Sequence, residues 1–415
     1  MKLPLIKRLV CVLTILVQLS LCHLITACGN EEISLHTVSD QTHGIPSTHI
    51  SEIEAKHISD NFLYPKSTRA FPPEISGIEY VLTDSKTRSV GVDNDTLAYV
   101  FNYVGKGFTI IAADRRLWPI IGYSHDNNFS HDNPISYAEV IENIPDYINS
   151  QICNYSQGNS NFDTDSLQYC AAVAPIIQGQ FHQGNPFNKY VKEAHPFLGD
   201  PPVGCVALAT AMVMLHSAQS VVYHGVKREL KLMLDGFKKG NKSNAPARIT
   251  GGGVTPPYTY DQATDSIAKL LYWIGIDEGI EYGSAASGGN AEKAYELLTS
   301  LGFNCSAYLK YDISDMIEKL VAQHIIYVTG YTHSKFIKPD GEEGWKTSGH
   351  AWVVDGCQYC LENGEIKNPS IHCDWGWAGL SNGYFTPELF STKSKKPYPT
   401  ISRYFAVKLQ PNVNL

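Results

Sequence analysis

Pro202-Val203-Gly204-Cys205-Val206-Ala207-Leu208-Ala209-Thr210-Ala211-Met212-Val213-Met214-Leu215-His216 is an apolar run of helix formers with one glycine and one cysteine at its head. Gly204 gives a flexible entry, and the run of helix formers after it predicts a helix whose first turn holds Cys205. The partial positive charge of a helix N-terminus favours thiolate over thiol, and thiolate is the form that attacks a carbonyl carbon. A lone cysteine in such a run is more often a small buried hydrophobe. Only the rest of the chain makes Cys205 a nucleophile.

Gly349-His350-Ala351-Trp352-Val353-Val354-Asp355-Gly356 places His350 145 positions downstream (350 − 205), entering an apolar strand, and Cys373-Asp374-Trp375-Gly376-Trp377 comes after it. A cysteine on a helix, a histidine entering a strand and an Asn or Asp beside a tryptophan are in the papain-type order. Upstream, Gln178, Gln180 and Gln183 could each supply a side-chain amide that, with the Cys205 N–H, binds an oxyanion. Spacing alone does not choose among them. His216, eleven residues past the cysteine (216 − 205), would lie roughly 16 Å along the helix, out of reach of the thiol.

Met1 to Ala27 has a basic start, an apolar run from Leu9 to Leu21 and a small-residue end, the pattern of an export signal and not of a spanning helix. Leu24-Ile25-Thr26-Ala27-Cys28 resembles a bacterial lipobox, so Cys28 is expected to carry lipid and tether an exported chain to the outer membrane or cell surface. At 43% hydrophobic residues over 415 positions the chain can bury more than one domain core, while a net charge of −8 without a long basic run argues against nucleic acid. Seven of its ten cysteines come after Cys28, an odd number, so at least one thiol stays unpaired in an oxidising setting.

From Glu31 to Asp165 the pattern is that of a separate domain. Thr96–Val104, Gly107–Ala113 and Leu117–Tyr123 predict an antiparallel meander, and no nucleophile-base pair or metal spacing occurs there. Ser156–Ser166 is polar and low in complexity, as an exposed linker would be. The expected organisation is therefore a lipoprotein signal over 1–27, a tether and N-terminal domain over 28–165 and a catalytic domain over 166–415. Cys357-Gln358-Tyr359-Cys360 has the spacing of half a zinc site but no second pair, so neither metal nor organic cofactor is expected. A disulfide involving Cys357, Cys360 or Cys373 stays open.

Gln183-Gly184-Asn185-Pro186-Phe187-Asn188, Gly204-Cys205-Val206-Ala207, Gly349–Gly356 and Asp374-Trp375-Gly376-Trp377-Ala378-Gly379 resemble the motifs of the streptopain family of bacterial cysteine peptidases. The resemblance covers about Ala98 to Phe405. It implies an α+β, papain-like fold preceded by an α+β inhibitory prodomain that contains the meander, and a zymogen able to cut itself. It implies catalytic roles for Cys205 and His350, and it selects Gln183 as the oxyanion-hole residue. Asp374 stands where the family commonly has Asn, so it is expected to orient the imidazole by accepting from its ring N–H. Trp375 is expected to shield that bond from water. The loop with Ser284, Ser287 and Gly288, together with Gly349, is expected to line the substrate cleft. Protein or peptide substrates and the chain's own prodomain are the partners implied. Another papain-fold acyl transfer, by a transglutaminase or amidase, uses the same residues, and an inactive surface-binding lipoprotein is the alternative from a different class.

Overall fold

The computed structural model describes residues 48–65, 72–83, 87–88, 95–130, 140–154, 169–240, 248–250, 253–255, 261–337, 342–390 and 403–410. The export segment, Cys28 and the Ser156–Ser166 linker lie outside the described residues, as do Lys338 to Gly341.

The N-terminal part comprises α1 (Glu52–Leu63), β1 (Ile75–Leu82), β2 (Thr87–Arg88), β3 (Thr96–Tyr103), β4 (Phe108–Ala112), β5 (Ile120–Ser124) and α2 (Ile144–Asn154). After it come β6 (Ala171–Val173), α3 (Lys189–Ala194), α4 (Cys205–Ser217), the ribbon β7 (Val221–Tyr223) and β8 (Val226–Arg228), and α5 (Leu230–Gly240). A second ribbon, β9 (Arg248–Thr250) and β10 (Gly253–Thr255), precedes α6 (Gln262–Asp277), α7 (Ala291–Ser300), β11 (Leu309–Lys310) and α8 (Ile313–Val321). The chain closes with β12 (His324–Ile337), β13 (Glu343–Glu362), β14 (Glu365–Asp374), β15 (Gly383–Phe385) and β16 (Arg403–Lys408).

The meander predicted from alternation is β3, β4 and β5. Helix starts obey local chemistry: Asp261, Asn290 and Asp312 accept backbone N–H groups of Thr264, Glu292 and Asp315 at 2.8, 2.9 and 3.0 Å, capping α6, α7 and α8.

The boundary expected near residue 165 does not separate two sheets. One antiparallel sheet runs β11-β16-β12-β13-β14-β15-β5-β4-β3-β1-β2, joining the C-terminal strands to the meander through β15 and β5, where Tyr384 faces Tyr123 and Phe385 faces Gly122. The junction is close because two residues lack side chains. A Cβ on Gly122 would lie 2.6 Å from a Phe385 ring carbon, and one on Gly383 would lie 2.5 Å from the Tyr123 carbonyl.

Alternation along β12 and β13 sends side chains to two cores. Ile325, Tyr327, Ala351 and Val353 pack with the helices on one face. Ile326, Val328, Trp352 and Val354 pack on the other with Trp375, Phe385, Phe390 and the meander residues Val100, Phe108 and Ile110. The helix α4 is apolar on all sides because it crosses the first core, and every residue of it after Cys205 is buried.

Candidate active site

Gly204 enters α4 at φ 91°, a left-handed conformation that glycine adopts without penalty. Cys205 is the first helical residue and the only one of α4 that is not fully buried. Its thiol lies against the backbone of Ala351, the residue after His350 on β13. Gln183 joins them through the backbone: the Val203 N–H, two residues before the cysteine, donates to the Gln183 carbonyl at 2.9 Å.

The electrostatics differ from expectation. Burial pushes the Cys205 thiol up, outweighing the N–H groups around it, and the Glu278 carboxyl adds to the rise. Burial also lowers His350 to about 4, against the small upward pull of the Trp375 carbonyl. A neutral thiol beside a neutral imidazole is the resting state these shifts favour at pH 7, not the thiolate that the helix N-terminus alone would give.

His350 Nε2 donates to the Trp375 carbonyl at 3.1 Å, which fixes the tautomer and leaves Nδ1 as the basic nitrogen. Nδ1 is buried and has no hydrogen-bond partner among the described residues, so the dyad is not closed. Asp374 departs from its expected place. Its carboxylate Oδ1 accepts from the Gly376 N–H at 3.0 Å, and burial raises it to about 6. The orienting acceptor is thus the next residue's backbone carbonyl. That group is invisible in a sequence, because every residue has one.

The Trp375 indole also does something other than cover the imidazole bond. Its Nε1 donates to the Ser381 carbonyl at 2.9 Å, and its ring packs against Trp352, Phe385 and Phe390. The backbone N–H of Trp375 donates to Asn382 Oδ1 at 3.1 Å. Ser381 and Asn382 in turn meet the segment after β5. Ser130 N–H donates to Ser381 Oγ at 3.0 Å, Ser381 N–H to the Asn128 carbonyl at 3.3 Å, and Asn127 Nδ2 to the Asn382 carbonyl at 3.3 Å. Sequence reasoning missed Ser381, Asn382 and Asn127; the turn-forming run Gly379-Leu380-Ser381-Asn382-Gly383 was the one available signal.

The expected cleft loop folds back on the nucleophile segment. Ser287 Oγ donates to the Pro202 carbonyl at 2.7 Å, Glu281 and Gly288 bridge each other, and Ser284 and Gly288 are exposed. Gly349 is exposed beside His350. Three other histidines are tied into the fold: His216 Nδ1 donates to the Met212 carbonyl at 2.7 Å while its Nε2 accepts from Gln178 N–H at 2.9 Å. His182 Nδ1 accepts from Gly184 N–H at 3.2 Å. His372 pairs with Asp355 at 2.6 Å. Among the described residues no cluster of three or more His, Cys, Asp or Glu side chains is arranged to hold a metal ion.

Glu278 was also missed. Its Oε1 takes part in a 2.6 Å bond with Thr210, whose hydroxyl reaches the Val206 carbonyl in the first turn of α4, and burial raises it to about 8. Tyr327 OH donates to the same Val206 carbonyl at 3.3 Å.

Two family models match the chain: the peptidase C10 family over residues 181–385 and the Spi protease inhibitor over residues 47–143. Streptopain of Streptococcus pyogenes is 26% identical over 325 residues, 69% of this chain and 73% of that protein. The thiol protease/hemagglutinin PrtT of Porphyromonas gingivalis is 24% identical over 72% of this chain, which corresponds to 35% of PrtT. A solved fragment of Prevotella intermedia prointerpain A superposes with a TM-score of 0.49 at 21% identity, covering 76% of this chain and 96% of that one. The chain belongs to the peptidase C10, or streptopain, family: it is an α+β cysteine peptidase zymogen with an N-terminal domain of the protease-inhibitor type.

Proposed function

We propose that this zymogen is an exported endopeptidase that works through a Cys205–His350 dyad and is held latent by its N-terminal domain until the Ser156–Ser166 linker is cut. The observation that carries this is the bonded chain from Asn127, Asn128 and Ser130 through Ser381 and Asn382 to Trp375, whose carbonyl holds His350 with Nδ1 unengaged among the described residues. Removing the N-terminal domain frees that loop and admits water to the cleft, which relieves the burial that keeps both groups neutral.

In the active form, His350 Nδ1 takes the Cys205 proton and the thiolate attacks the scissile carbonyl. The Cys205 N–H and the Gln183 amide bind the oxyanion; losing one such donor costs roughly 3 kcal/mol. His350 then protonates the leaving amine and afterwards activates the water that hydrolyses the thioester. Trp375 serves through its carbonyl and Asp374 by bracing the turn at Gly376. Ser284, Ser287, Gly288 and Gly349 lie along the path of an extended peptide substrate. Lipid on Cys28 would keep the precursor at the cell surface, and Cys28→Ser should release it into the medium.

The test is incubation of the precursor, beside its Cys205→Ala form, with casein under mild reductant. Self-trimming to a fragment beginning in the linker, with casein degradation, is expected of the wild type alone. If neither protein changes after the linker is cut by an added protease, the endopeptidase assignment fails.

A further inference from the structure

β6 is only three residues long, and it opens the described part of the C-terminal half. It pairs with β13 in the register Cys357↔Val173, Gln358↔Ala172, Tyr359↔Ala171. Just before Ala171 the register slips by one residue: the Cys170 N–H donates to the Tyr359 carbonyl at 3.1 Å, and Cys360 is the next residue of β13. The Cys360 thiol is within hydrogen-bonding reach of both the side chain and the backbone of Cys170. Thiols that close can belong to residues whose Cα atoms fall within the roughly 4.4–6.8 Å that a disulfide bridges. Cys170 is exposed and Cys360 half-buried, so a small oxidant can reach the pair. Among the described residues no other strand pairing brings two cysteines together: Cys357 faces Val173 and Ile371, and Cys373 faces Val354.

We propose that Cys170 and Cys360 are a disulfide site that fastens the start of the C-terminal half to β13. The bond forms by exchange with a low-molecular-weight disulfide. The exposed Cys170 sulfur attacks it, breaking the S–S bond and releasing one small thiol; Cys360 then displaces the second from the mixed disulfide. Two protein thiols are oxidised, one small disulfide is reduced to two thiols, and the two protons end on those thiols.

The segment needs such an anchor. Tyr169 donates to or accepts from Ser370 at 2.6 Å and stacks on Tyr123 of the N-terminal domain, while Gln358 accepts from the Tyr123 hydroxyl. Departure of that domain would strip one side of β6, and a chain cut ahead of Tyr169 would leave three paired residues at a free end. Cys360 lies ten residues past His350 (360 − 350), roughly 33 Å along an extended strand, so the bond is independent of the dyad and of the activity proposed for it.

The full chain carrying Cys205→Ala, and the wild type in parallel, would be equilibrated with oxidised glutathione, alkylated and mapped by mass spectrometry without reduction. A crosslinked peptide pair containing Cys170 and Cys360 is expected, absent from Cys170→Ser and Cys360→Ser. Adding reductant should lower the melting midpoint of the oxidised chain by several °C, as roughly expected for a bond closing so long a loop, and leave the double serine variant unmoved. Separate alkylation of the two thiols, glutathione left on either one, or a link from Cys170 to Cys153 would overturn the proposal.

Discussion

The imidazole of His350 is held by the backbone carbonyl of Trp375, at 3.1 Å from Nε2, while the carboxylate one residue earlier bonds the Gly376 N–H. A carbonyl does not titrate. The tautomer with a basic Nδ1 is therefore maintained whatever the protonation of Asp374, and the quality of the hold depends on what fixes the Trp375 backbone.

Asp374→Asn should accordingly leave casein hydrolysis by the processed enzyme within about threefold of wild type, since the amide oxygen can still accept from Gly376. Asn382→Ala removes the acceptor of the Trp375 N–H, a bond of about 1 kcal/mol, and lets the carbonyl drift. A fall of about tenfold in kcat with KM nearly unchanged is expected. The reverse ranking in steady-state kinetics would return the orienting role to the carboxylate.

Gly122 lets β5 approach β15 to the point where a Cβ would collide with Phe385. Gly122→Val should force the meander away from the C-terminal strands and loosen the contacts of Asn127 to Ser130. The precursor should then process itself several-fold faster, measured by gel densitometry over time. Unchanged processing would show that this seam does not hold the latent state.

Glu278 is 2% exposed and neutral up to about pH 8 in the fold, whereas in the unfolded chain it ionises near its ordinary value. The raised value means that the unfolded state binds fewer protons between those limits, so wild-type stability falls as pH climbs from about 4.5 to about 8. Glu278→Gln keeps a partner for Thr210 without the charge. Its melting midpoint should exceed the wild type's by about 4 °C at pH 8, with the gap closing toward pH 5. Parallel pH profiles in calorimetry would refute this.

Burial alone would lower His372, but the Asp355 carboxylate, itself fully buried, outweighs it and raises the imidazole above its usual value. That stabilisation is complete below about pH 6.5 and is lost as pH rises through the raised value. His372→Gln should cost about 3 kcal/mol in urea unfolding at pH 6, because it strips a buried carboxylate of its cation. The deficit should shrink at pH 9.

The order of Cys205, His350 and the Asp374-Trp375 pair, the nucleophile helix and the N-terminal meander were all legible because each is local. An unbroken apolar run, period-2 alternation and glycine at a left-handed entry are written in neighbouring letters. What acts through distance was not. Asp277 and Glu278 look alike as a solvent-facing acidic pair ending a helix, and only packing sends one to Tyr223 and the other under α4. The acceptor for His350 is a backbone atom, which no residue letter specifies. The sequence alone determined which groups can perform thiol chemistry and in what order they come. The tertiary structure decided that they rest neutral, because burial among the helices and strands of the C-terminal core costs a charge more than a helix N-terminus returns.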